Sequence, residues 1–159
     1  MRSVTWSFTV IALLLLSGCE RWTLDRQMEE LCAKDGGIKV YETVTLPASD
    51  FSNLGQPLAR YERTAKSREE IFGPDYRYVT EEKYIVGTRQ TKVEHGNGVL
   101  VRNVQAIYRR SDKKMLVEGV YYARGGGDGV VWGGLGFHHS AKYCPTPTPN
   151  VATIFIKGE

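Results

Sequence analysis

The sequence is short of the patterns that most chemistry needs. It has three cysteines and three histidines in 159 residues, with no CxxC pair and no HExxH or HxH spacing. Neither a dithiol redox centre nor a zinc site of the common kinds is written into it. There is no GxGxxG after a strand and no GxxxxGK[ST], so nucleotide phosphates lack their usual backbone cradle. Neither sign of charge prevails. Arg2 is the only charged residue in residues 1–18, so of 21 basic and 18 acidic side chains the remainder keeps 20 and 18. That balance excludes nucleic-acid binding by bulk charge. No internal repeat is visible, and the one long apolar run falls short of the roughly 20 residues that a spanning helix requires.

What is present is concentrated at the start, MRSVTWSFTVIALLLLSGCE. Arg2 supplies a positive beginning, Val10 to Leu16 is continuously apolar, and Ser17-Gly18 puts two small residues directly before Cys19. A peptidase needs a narrow, extended substrate at such a point. Leu16-Ser17-Gly18-Cys19 resembles the lipobox of bacterial lipoproteins. The resemblance implies that residues 1–18 are a signal peptide and that Cys19 carries diacylglycerol. It also implies a new amino terminus acylated by a palmitate-type chain. Glu20, where aspartate would favour inner-membrane retention, points to the outer membrane. The alternative is an uncleaved anchor over residues 4–16, which is short for a span and is interrupted by Ser7 and Thr9.

Removing residues 1–18 from 159 leaves 141, a suitable size for one domain, 19–159, which the lipobox resemblance implies faces the periplasm. A content of 42% hydrophobic and 25% charged residues is ordinary for a globular fold. With Cys19 assigned to lipid, Cys32 and Cys144 remain, 112 positions apart. In a secreted compartment they are expected to form a structural disulfide, the alternative being a redox or metal role.

Periodicity predicts a helix over 20–35, capped by Thr23, with Leu24, Met28, Leu31 and Cys32 on one face and Gly36-Gly37 at its end. A strand follows from Ile38 to Leu46, then turn-rich residues 47–58 and a helical turn from Ser67 to Phe72. Strands are expected at Tyr76–Val86 and, more polar, Thr88–His95. The clearest signal is a hairpin, Val99–Arg110 with Met115–Arg124, whose inner residues are Val104, Ala106 and Tyr108 opposite Met115, Val117, Gly119 and Tyr121. A last strand, Val151–Lys157, follows the connector 145–149. The fold class is α+β, an N-terminal helix packed on an antiparallel sheet of five or six strands.

Each candidate site carries more than one reading. The glycine-rich loop 125–136 contains Trp132, which either tacks the loop to the fold or presents an aromatic surface to a partner. His138-His139 points to opposite faces if extended, so no metal site is expected. Glu42, on an otherwise apolar strand face, is either a carboxylate paired with an arginine or a general acid. Arg109, Arg110, Lys113 and Lys114 place four cations around one hairpin turn, suited to anionic headgroups or an acidic partner, or simply solubilising.

The segments LCAKDGGIKVYETVTLP and IFGPDYRYV resemble a family of small proteobacterial lipoproteins with no assigned activity. That resemblance implies a cell-envelope location and supplies no catalytic residues. The expectation is a membrane-anchored, non-enzymatic module that binds a protein or an envelope component, without a cofactor or nucleic acid. The alternative is an enzyme acting on envelope polymers, using Glu42 or His138 as acid or base, which requires at least two of Glu42, His95, His138, His139 and Asp128 to converge.

Overall fold

A computed structural model describes residues 19–52, 57, 68–93, 96–128 and 139–159. The elements are helix α1 (Cys19–Asp35) and strands β1 (Gly37–Val40), β2 (Val44–Leu46), β3 (Tyr76–Val86), β4 (Gly98–Arg109), β5 (Met115–Gly126), β6 (Ala141–Cys144) and β7 (Phe155–Lys157). One sheet runs in the order β1-β5-β4-β3, with β6 also paired to β5, and β2 and β7 form a separate two-stranded sheet. The class is α+β with an antiparallel sheet of five strands. The chain divides into two compact units, and β3, β4 and β5 contribute a segment to each.

The first unit draws on Met1–Asp35 (described from Cys19), Lys83–Arg102 and Tyr122–Pro147. Helix α1 contains neither glycine nor proline, and Glu20 in its first turn and Lys34 in its last complement the helix dipole. Leu24, Met28 and Cys32, spaced by four, are buried. Gly37 ends the helical region at φ +125°, a conformation other residues adopt only with strain. Thr23 lies inside the helix rather than at its cap, because the helix begins at Cys19. Cys32 and Cys144 are joined by a disulfide, linking α1 to β6. Strand β6, which the sequence did not announce, pairs antiparallel with β5 from Tyr122↔Cys144 to Gly125↔Ala141.

The expected polar strand Thr88–His95 is absent over its described part, residues 88–93. The threonines satisfy the backbone locally instead. Thr91 N donates to Thr88 O at 3.0 Å, Thr88 N to Thr91 Oγ1 at 2.8 Å and Gln90 N to Thr88 Oγ1 at 3.3 Å. Such bonds compete with a sheet ladder.

The second unit comprises Gly36–Glu82, Asn103–Tyr121 and Thr148–Glu159. Its core is Tyr78, Ile107, Leu116, Val117, Val151, Ile154 and Phe155, with Val44, Leu46, Phe51, Ile71, Phe72 and Tyr76 packed against it. Phe72 meets Tyr78 edge-on at 5.5 Å, and Tyr76 meets Phe155 edge-on at 5.2 Å, the arrangement that ring quadrupoles favour.

The predicted strand Ile38–Leu46 is two strands. Tyr41 N and Glu42 N both donate to Leu116 O, at 2.8 and 3.1 Å. Two residues opposing one is bulge geometry, and it ends the β1–β5 pairing. Ile38, Val40, Val44 and Leu46 alternate as one apolar face in the sequence, yet Ile38 and Val40 are 42% and 48% exposed, whereas Val44 and Leu46 reach the core. The hairpin β4–β5 forms, closed by Arg109 N donating to Lys114 O at 2.9 Å, but its inner face differs from the expected one: Ile107, Leu116, Val120 and Tyr122 are buried, whereas Val104, Tyr108, Met115 and Tyr121 are only partly so. Its strict alternation fails where Leu116 and Val117 are both buried. The segment after Pro147 covers the second face: a Cβ on Gly119 would lie 3.0 Å from Pro149 and from Val151. The predicted last strand shortens for a related reason. Val151–Ile154 is a 3-10 turn whose Ala152 N is capped by Asn150 Oδ1. Only Phe155–Lys157 is extended, pairing in parallel with Val44–Leu46.

Replacing Cys32 and Cys144 together by alanine releases a long covalent loop. Urea unfolding is expected to show a loss of about 4 kcal/mol by chain entropy; an unchanged midpoint would show that the bond does not constrain the unfolded chain.

Candidate functional site

The hairpin turn gathers the four cations read from the sequence and adds Glu42. The bulge at Tyr41-Glu42 turns the Glu42 side chain to the tip, where Oε1 accepts a hydrogen bond from Arg109 Nη2 and Oε2 one from Lys114 Nζ at 2.7 Å. Arg109 Nη1 also donates to Asp112 Oδ2 at 3.0 Å. Asp112 Oδ1 accepts from Lys114 N at 3.0 Å. That backbone bond, with help from Arg109, holds the Asp112 carboxyl below its ordinary range. Arg110 Nε donates to Tyr76 O at 3.2 Å, and Lys113 sits at φ 59°.

Beside this tip, Arg77 holds Glu69 by two hydrogen bonds, Nε at 2.9 Å and Nη2 at 3.3 Å. The bonds lower the Glu69 carboxyl and raise the Arg77 guanidinium. Glu69 is therefore held in a guanidinium clamp. Glu42 is the paired carboxylate of the two readings given to it: both oxygens are engaged by cations of its own chain.

The other candidate residues fall elsewhere. Cys19 opens α1, and its side chain lies outside the described part. His95, Trp132, His138 and residues 129–136 of the glycine-rich loop lie outside the described residues. His139 is exposed. Among the described residues, Asp128 meets no other member of that acid–base set. Its oxygens accept from Ser140 N at 2.7 Å and Ser140 Oγ at 2.8 Å, and Arg21 Nη1 lies 3.1 Å away. Burial alone would raise this carboxyl; the Ser140 hydrogen bonds and the charges of Arg21 and Arg124 outweigh it and leave it lowered.

Sequence reading missed the residue at the centre of this cluster. Arg124 is 2% exposed. Its Nε donates to Asp25 Oδ1 at 2.8 Å, and its Nη1 donates to Gly126 O, Ser140 O and Ser140 Oγ at 3.1, 2.9 and 2.6 Å. The signal was there: Leu116, Val120 and Tyr122 are buried at even positions of β5, and Arg124 continues them. A second ion pair joins Arg102 to Asp35 at 2.7 Å. Tyr122 OH donates to the same carboxylate at 2.7 Å, and burial together with that bond pushes the Tyr122 phenol up.

Among the described residues, no group of three or more His, Cys, Asp or Glu converges to hold a metal. Among them, too, no helix is long and apolar enough to cross a membrane. No protein-family model, curated protein or solved structure matches the chain.

A carboxyl lowered in the fold contributes stability above its unfolded pKa and loses it as pH falls through the folded one. Asp128→Asn should therefore flatten the acid limb of stability below about pH 4. Urea unfolding at stepped pH checks this, and an acid limb identical to that of the parent protein would contradict it.

Proposed function

We propose that this chain is a lipid-anchored envelope lipoprotein, held at Cys19, whose folded part binds a protein or envelope component without catalysing a reaction. The observation that carries the proposal is the sequence Leu16-Ser17-Gly18-Cys19 closing an apolar run, with a helix beginning at that cysteine. Lipid attachment needs no spanning helix, since acyl carbons add about 0.8 kcal/mol each on burial and two chains hold firmly. The residues after Cys19 are already tied down: Arg21 N donates to Gly127 O at 3.1 Å, and Gly98 N donates to Glu20 Oε1 at 3.1 Å. A protein so built rides close to its bilayer, not on a long tether. Glu20 favours the outer membrane, facing the periplasm, where the Cys32–Cys144 bond is stable.

The same reading has α1 lying on the five-stranded antiparallel sheet. Its support is the buried stripe Leu24, Met28 and Cys32, the Asp25–Arg124 pair and the disulfide to β6. The binding role draws on the cationic tip, and Trp132 is the candidate aromatic contact. An envelope-polymer enzyme using Glu42 finds less support, because both Glu42 oxygens serve Arg109 and Lys114.

Intact-mass analysis of the membrane fraction should find residues 19–159 carrying a diacylglyceryl group and an acyl chain, and Cys19→Ser should leave the leader attached. An unmodified full-length chain with reduced thiols, recovered from cytosol, would contradict the anchor. Crosslinked envelopes should return a reproducible partner, and recovery of none would contradict the binding role.

A further inference from the structure

The hairpin tip of the second unit borders a groove of about 390 Å³ lined by Arg77, Tyr108, Arg109, Arg110 and Lys113, a size suited to a small molecule. Strand alternation explains its lining. Tyr76 and Tyr78 of β3 and Ile107 of β4 belong to the core side, so Arg77 and Tyr108 turn to the other.

Charge at this tip does not balance. Five cations, Arg77, Arg109, Arg110, Lys113 and Lys114, pair with three carboxylates, Glu69 with Arg77, Asp112 with Arg109, and Glu42 with Arg109 and Lys114. Arg110 spends its Nε on the Tyr76 carbonyl and acts on Glu69 only through space, forming no salt bridge among the described residues. Lys113 meets no carboxylate among the described residues. It is also their one non-glycine residue at positive φ, 59°, in a turn position that glycine or asparagine fills with less strain.

We infer that this groove binds a phosphomonoester dianion. Arg110 and Lys113, the two lining cations in no salt bridge among the described residues, match its two charges. The Arg110 guanidinium offers planar donors to two oxygens and the Lys113 ammonium serves a third, while the Tyr108 ring supports the organic part of the ester. A free sugar or glycerol phosphate and the headgroup of a phosphomonoester lipid share this chemistry. The site stands without the anchor at Cys19, which intact mass reads separately.

Calorimetric titration of the full chain in detergent, with glycerol 3-phosphate, with dihexanoyl phosphatidic acid and with acetate, tests it. Saturable binding of either phosphomonoester, with acetate inert, is expected; binding of the phosphatidic acid alone assigns the headgroup, and binding of both assigns the ester in general. Lys113→Ala should weaken binding about tenfold, the loss of one charge-assisted hydrogen bond, and Arg110→Ala, which removes two, by at least as much. Lys34→Ala on α1 should leave it unchanged. Lys113→Gly, which relaxes the turn, should weaken binding while the protein stays folded. No saturable heat with either phosphomonoester, or affinity unchanged in both alanine variants, would overturn the inference.

Discussion

The first unit depends on one buried charge. Arg124 sits 2% exposed at the end of β5, and a guanidinium there is tolerable only if its donors are met. Asp25 of α1, the Gly126 carbonyl and Ser140 meet them. Those partners fix how a helix, a strand end and the approach to β6 come together. The Cys32–Cys144 bond locks the same elements covalently, and Asp128 is fastened to Ser140 by three contacts of 2.7 and 2.8 Å. Hydrophobic burial of Leu24 and Met28 supplies attraction without direction; the ionic and covalent links supply the register.

The second unit uses a different device. Its aromatic core leaves the hairpin turn outside, and the bulge at Tyr41-Glu42 carries a carboxylate to that turn. Glu42 then holds Arg109 and Lys114, so like charges that would repel one another are kept side by side. Asp112 does the same from within the turn. A cationic tip organised in this way presents fixed donors instead of loose side chains, which is the property a binding surface needs.

The helix, the strand Tyr76–Val86 and the β4–β5 hairpin were legible because each rests on local rules: a stripe spaced by four, alternation, and a short polar turn. What escaped depends on distant segments. Nothing local in Ile38–Leu46 reveals that two amides will converge on Leu116 O and break the strand. The parallel pairing of Val44–Leu46 with Phe155–Lys157 joins residues more than a hundred positions apart. Ala141–Cys144 is too short and too polar to announce itself as a strand. The four hairpin cations and the cysteine pair were visible as candidates, but the roles of Arg124, Arg77 and Glu69 follow from burial and proximity, which sequence spacing does not record.

The proposed envelope protein combines three devices: the lipid anchor proposed at its start, a buried arginine that organises the unit following it, and a charged turn that offers a surface. The arginine carries most of the structural weight. A double-mutant cycle on Asp25→Asn and Arg124→Met, followed by urea unfolding at neutral pH, measures it directly. Each single change is expected to cost about 3 kcal/mol or more, with the two coupled by about 2 kcal/mol. Costs that add to within about 0.5 kcal/mol would contradict this.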